Sequence, residues 1–228
     1  VDDDVCSFNF AWNETTNNTG IRKIKIYNTW DANNVTLETG NFYIKANLTL
    51  ISPNGGEIWY AGESYPINWT KTGNWSGNLI NITYTSLDIG NGTIALNENA
   101  DNLTYDWLIP VSAISEYIKV RIETNQSETL KVYDESDDYL AIRPYVRITY
   151  PNSHQVFTVG NTYNITWELF GNLSTIHLWF CKNYNGSSGT CESSWQRITP
   201  SGGYDANQLS YPWLVNATAV GENVRLRI

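Results

Sequence analysis

Asparagine and cysteine carry most of the chemistry that this sequence offers. Asn-x-Ser/Thr triplets begin at Asn13, Asn17, Asn34, Asn47, Asn68, Asn74, Asn81, Asn91, Asn102, Asn125, Asn164, Asn172, Asn185 and Asn216. These are fourteen acceptors for N-linked sugar, against about 5 from chance pairing, so the pattern points to a chain built to carry glycans. A glycan is bulky and polar and must project into water. Asn68, Asn81 and Asn164 suit that demand, because they alternate with Ile67/Trp69, Ile80/Ile82 and Ile165/Trp167 and fall on the outward phase of a strand. Cys181 and Cys191 flank the Gly/Ser/Asn loop KNYNGSSGT, and the secreted setting implied by the glycans predicts a disulfide between them. Cys6 has no obvious partner, and suits a bond to another chain or to a part of the protein outside this stretch.

Catalytic chemistry is poorly provided for. His154 and His177 have no Ser or Cys near them at the spacing of a nucleophile and its base. No catalytic residue is expected, and the chain reads as non-enzymatic. The acidic clusters are Asp2-Asp3-Asp4, Glu98 with Asp101, and Asp134-Glu135-Ser136-Asp137-Asp138. Calcium needs several oxygen ligands, but the last cluster lacks the spaced D-x-D-x-D-G pattern. It reads as a solvated turn, so no metal site is expected, and no cofactor apart from covalent N-glycans. Trp59, Trp75, Trp179 and Trp195 are not all accounted for by the inward phase of strands. They suit either stacking on sugars or aromatic cover for an interface or sheet edge.

The elements that must hold these residues are legible through repetition. TLISPNGGEIWYAGESYPINW, from Thr49 to Trp69, returns as RITYPNSHQVFTVGNTYNITW, from Arg147 to Trp167. Pro53 and Pro151, Gly62 and Gly160, and Trp69 and Trp167 all recur at one spacing of 98 residues, the signature of tandem units. Within each copy, Tyr65, Ile67 and Trp69, like Tyr163, Ile165 and Trp167, alternate with other residues. Period two with one apolar face is a half-buried strand. Strands are predicted near 47–52, 57–60, 64–70, 79–86, 92–96, 103–108, 117–123 and 130–142, with breakers at Gly73, Gly77, Gly90 and Pro110. That predicts an all-β fold of tandem immunoglobulin-like antiparallel β-sandwiches.

SPNGGEIWYAGESYPINW, followed by LTYDWLIP, YIKVRIE and YDESDDYLAI, resembles the immunoglobulin-like tandem repeat of the Ser/Thr-rich GPI-anchored membrane family. That family is related to fungal cell-wall glucan-synthesis proteins and to repeats on bacterial and archaeal surface proteins. The resemblance covers nearly the whole chain and implies a fold and a surface context rather than a reaction.

Three domains are expected. Residues 1–46 form the C-terminal half of a repeat, in which Phe10, Trp12, Ile24, Ile26, Phe42 and Ile44 match Tyr105, Trp107, Val120, Ile122, Leu140 and Ile142. Residues 47–144 form a complete repeat, and residues 145–228 one that lacks its last strand. The chain starts at Val1 without a Met and reads as a mature product or an excerpt. A net charge of −9 argues against nucleic acid as a partner, and no apolar run approaches the roughly 20 residues of a membrane span. The expected function is therefore a structural glycoprotein, extracellular or at the cell surface. It would act as a protomer of a fibre, sheath or surface layer, with copies of itself as partners in a head-to-tail assembly. Either strand donation between chains completes the last repeat, or the chain is a window on a longer tandem array whose missing halves lie in the same polypeptide. The alternative is a carbohydrate-binding accessory module of a secreted enzyme or adhesin.

Overall fold

A computed structural model describes residues 19–27 and 36–228. Asn13, Asn17, Asn34, Cys6 and the Asp2-Asp3-Asp4 cluster lie outside the described residues. The fold is all-β: antiparallel sheets joined by tight turns, with helix limited to three-residue 3₁₀ turns among the described residues. Two compact units are present. One is drawn from Val1–Glu57, Pro66–Trp107 and Tyr117–Leu140, the other from Ile58–Tyr65, Leu108–Glu116 and Ala141–Ile228.

In the first unit, residues of the strands Asn47–Ser52, Ser64–Thr72 and Thr104–Leu108 make one sheet. Leu79–Ser86 pairs with Gly92–Asn99 on one side and Ser115–Thr124 on the other. Alternation decides which residues go inward: Leu48 and Leu50, Ile67 and Trp69, Ile80 and Ile82, and Val120 and Ile122 are all buried. The interior is therefore a contact between two apolar sheet faces. The Trp69 indole finishes the job of a buried polar group by donating to the Ala100 carbonyl at 2.9 Å. Ala100 opens a 3₁₀ turn that the Asn99 side chain caps at the Asp101 N–H.

The stretch predicted as one strand over 130–142 is two, Tyr133–Glu135 and Leu140–Arg143. The intervening residues are diverted to hold the Pro53-Asn54-Gly55-Gly56 turn. Ser136 Oγ donates to the Pro53 carbonyl at 3.0 Å, Asp137 Oδ2 accepts from Asn54 Nδ2 at 2.8 Å, and the Asp138 N–H donates to the Asn54 carbonyl at 3.2 Å. Asp134 accepts from the Leu50 N–H at 2.7 Å. The acidic run is thus a clamp on the turn, where a solvated turn was expected.

Residues 20–27 and 36–44 repeat this arrangement in part. Gly20–Arg22 pairs with Phe42–Ile44, and Lys25–Tyr27 with Thr36–Glu38, both antiparallel. Thr39 Oγ1 accepts from the Ile24 N–H at 3.0 Å, as Ser136 Oγ accepts from the Val120 N–H at 3.1 Å.

In the second unit, Tyr145–Tyr150, Thr162–Phe170 and Ser210–Leu214 form one sheet, and Gln196–Arg197, Trp179–Cys181 and Arg225–Arg227 another. Ile165, Trp167, Leu178, Phe180 and Trp213 lie in the core between them. The capped turn recurs: Asp205 caps the Asn207 N–H, and Trp167 Nε1 donates to the Ala206 carbonyl at 2.8 Å. Residues 58–65 and 108–116 pack into this unit. Tyr60 meets Tyr145 at 5.6 Å between ring centres, and Tyr145 stacks on Phe170 at 6.4 Å. Arg147 bonds Glu168 at 2.8 Å and reaches Glu63 at 3.6 Å. Arg143 forks onto both Glu116 oxygens at 2.9 and 3.0 Å and so holds that carboxyl below the usual carboxylate range.

Candidate functional site

Two features of residues 145–228 stand out, and the first is an open lane in a sheet. In the earlier copy of the motif, Ile58–Tyr60 pairs in parallel with Ala141–Arg143. The matching residues, 156–158, keep the local geometry of 58–60. Phe157 stacks on Tyr163 at 4.1 Å, as Trp59 stacks on Tyr65 at 4.8 Å. Likewise the Thr158 N–H donates to the Tyr163 hydroxyl, as the Tyr60 N–H does to that of Tyr65. Yet residues 155–158 belong to no strand, and Val156 is 89% exposed. In the earlier copy Ala141–Arg143 lies between Ile58–Tyr60 and Ser115–Thr124. Arg225–Arg227, which matches part of Ser115–Thr124, ends its sheet and pairs only with Trp179–Cys181 among the described residues.

The second feature is a ladder of arginines and aromatic rings, and the disulfide builds it. Cys181 and Cys191 are bonded as expected, at the base of a hairpin in which Tyr184–Asn185 pairs with Thr190–Cys191. The hairpin brings Tyr184 and Trp195 beside the sheet, with ring centres 6.2 Å apart. Trp179 lies directly opposite both Arg197 and Arg227 in the register, so the three side chains share one face. The Arg197 and Arg227 guanidiniums lie 5.4 and 5.7 Å from the Trp179 ring centre, and Arg227 also lies 4.4 Å from that of Trp195. Arg225 sits 4.7 Å over Tyr184. None of these three arginines meets a carboxylate among the described residues, whereas Arg121, Arg143 and Arg147 all do.

The four tryptophans singled out from the sequence therefore divide. Trp59 and Trp75 are in the core, each 6% exposed, with Tyr65 stacked on one and Lys71 5.0 Å over the other. Trp179 and Trp195 are half-buried, with arginines over their faces. Of the sugar acceptors, Asn47, Asn74, Asn91, Asn102, Asn125, Asn164, Asn172 and Asn216 are exposed, while Asn68, Asn81 and Asn185 are half-buried. Asn81 Oδ1 accepts from the Asn97 N–H at 3.1 Å, and Asn185 Nδ2 donates to Glu192 at 2.8 Å. Among the described residues, His, Cys, Asp and Glu form no group of three suited to a metal ion. Nor is any described helix long and apolar enough to cross a membrane. The best-formed hollows are shallow and open, one against Trp167 and Phe170, the other against Tyr184 and Glu192.

No protein-family model matches this chain, and that includes the Ser/Thr-rich GPI-anchored membrane family. No curated protein matches it. Among solved structures, it is similar to fibronectin(III)-like modules of Clostridium thermocellum CbhA, at 17% identity and a TM-score of 0.29, over 74% of this chain and 79% of that one. It is also similar to a complex of Dpr2 Ig1-Ig2 with DIP-Theta Ig1-Ig3, at 12% identity and a TM-score of 0.24, over 81% of this chain and 56% of that one. The disulfide fits an oxidising, extracellular setting.

The arginine ladder escaped sequence reading because its members come from separated strands and a hairpin. The alternation that marks core residues says nothing about which outward residues meet.

Proposed function

We propose that this protein is a non-enzymatic, N-glycosylated extracellular structural module whose copies join head-to-tail as protomers of a fibre, sheath or surface layer. The open lane between residues 155–158 and Arg225–Arg227 carries this reading. A strand lodged there would run parallel to 156–158, as Ala141–Arg143 runs beside Ile58–Tyr60. Phe42–Ile44 of a second copy is a strand of the required kind, and Thr39 before it plays the part that Ser136 plays before Leu140. Ser136 bonds the Pro53 carbonyl; Thr39 of the second copy would meet Pro151 in the matching turn. Such strand addition supplies main-chain hydrogen bonds to a bare edge. It is heterologous and does not close on itself, so it propagates.

Size-exclusion chromatography and electron microscopy of residues 1–228 and of residues 47–228 test the assembly. The longer is expected to form linear oligomers and the shorter to stay monomeric; oligomers unchanged by the deletion would sink strand donation. Glycosylation is tested separately. Glycopeptide mapping of these 228 residues from native protein should find sugar at most of the acceptors. Acceptors found bare throughout would remove the support for the extracellular scaffold.

The alternative, a carbohydrate-binding accessory module, draws support from Trp179 and Trp195, two partly exposed rings that share Arg227.

A further inference from the structure

We infer that the ladder of Arg197, Trp179, Arg227, Trp195 and Arg225 is a binding track for an acidic polysaccharide, one bearing carboxylate or sulfate groups along its length. This inference is independent of strand donation, because the track lies on the face of the sheet and not along its open lane.

Charge is the first support. The chain carries a net charge of −9, yet this face gathers three arginines with no carboxylate partner among the described residues. Like charges drawn together without acids are costly unless something anionic offsets them. Neither the longest acidic run nor the acids beside Tyr184 serve as that partner. The longest acidic run is committed elsewhere, Asp134 to the Leu50 N–H and Asp137 and Asp138 to Asn54 in the Pro53-Asn54-Gly55-Gly56 turn. Glu192 and Glu222 border a hollow beside Tyr184 and make no ion pair with the ladder. They would repel an anion at that end, so the ligand must run the other way, from Arg225 past Arg227 to Arg197.

Geometry is the second support. Arg197 and Arg227 lie on the two strands that flank Trp179, so their backbones are ~10 Å apart by ordinary strand spacing. That separation suits acid groups recurring along a linear sugar chain. The rings orient the guanidiniums: stacked over indole, an arginine keeps its planar fork of N–H donors directed outward and loses less side-chain freedom on binding. The guanidiniums also cover the ring faces that a neutral sugar would use. What the track offers is therefore charged N–H donors, which favours an acidic polysaccharide over a neutral one. The disulfide hairpin holds Trp195 and Tyr184 in place.

Titration calorimetry of the full chain against polygalacturonate, heparin, dextran and a single-stranded DNA oligomer tests the proposal. Binding to at least one of the acidic polysaccharides and none to dextran is expected. Binding should weaken steeply as salt is raised, since the ion pairs are at the surface. Arg225→Gln and Arg227→Gln should each weaken binding about tenfold or more, the scale of a charged hydrogen bond, while leaving the thermal midpoint near that of the wild type. Should a variant fail to fold, the salt dependence of the wild type still decides. Binding that is insensitive to salt, equal binding to dextran, or no binding to either acidic polysaccharide overturns the proposal. Tighter binding to the DNA oligomer would assign the track to nucleic acid instead and equally overturn it.

Discussion

Trp167→Ala is expected to cost about 4–5 kcal/mol, enough to leave the unit of Ile58–Tyr65, Leu108–Glu116 and Ala141–Ile228 largely unfolded at ordinary temperature. A single domain typically holds only about 5–15 kcal/mol in total. Trp167 is 2% exposed and sits among Ile165, Leu178, Phe180 and Trp213. Truncation to alanine removes most of its contacts and leaves a cavity that flanking strands can only partly close. The indole also donates to the Ala206 carbonyl at 2.8 Å, and that oxygen otherwise keeps only a long bond, 3.3 Å, from the Leu209 N–H. Trp167→Phe separates the two contributions. It keeps most of the apolar volume and loses the hydrogen bond, so about 1–2 kcal/mol is expected. Urea unfolding monitored by circular dichroism measures both. A loss below about 2 kcal/mol for the alanine variant would mean that the indole is not central to the core. Trp69→Ala should act alike on its own unit, because Trp69 is 2% exposed and bonds the Ala100 carbonyl in the same way.

The two tryptophans also mark how far sequence reading reaches. Their place in the core was legible from alternation, because a strand with one buried face repeats every second residue. The disulfide was legible too, since a short polar loop between two cysteines leaves them close in space. The turns that receive the indole hydrogens were not. Ala100 and Ala206 do not share the 98-residue spacing of Trp69 and Trp167, because the disulfide hairpin intervenes, and a backbone carbonyl leaves no mark on side-chain pattern. The acidic run misled for a similar reason. Asp134 to Asp138 looked like residues for water, but Asp134 accepts a backbone N–H and Asp137 an amide, groups that composition does not display. Gly55 reflects that clamp: a Cβ there would meet the Asp138 backbone at 2.9 Å. The matching position in the later turn, where no such run packs among the described residues, is Ser153.

Gly62 and Gly160 offer the other large expected effect, as a matched pair. Both have left-handed backbones, with φ of 82° and 89°, so alanine at either costs about 1–2 kcal/mol of backbone strain. Their surroundings differ. A Cβ at Gly160 meets nothing within 4 Å, while one at Gly62 would overlap the Phe170 ring. That ring cannot simply swing aside, because it stacks on Tyr145 and lies under the Arg147 guanidinium, 5.4 Å from its centre. Gly62→Ala is therefore expected to cost a further ~1–3 kcal/mol of overpacking beyond Gly160→Ala. Adding Phe170→Ala should rescue most of that excess, since it removes the obstructing ring. The double variant should then be more stable than the sum of the single losses predicts, the sign of a direct contact. Thermal and urea unfolding of the wild type and the four variants give the comparison. Equal losses for the two glycines, or strict additivity with Phe170→Ala, would show that residues 58–65 do not pack on Phe170. A coupling of the expected size would instead make this contact a fixed joint between the turn at Gly62 and the strand ending at Phe170.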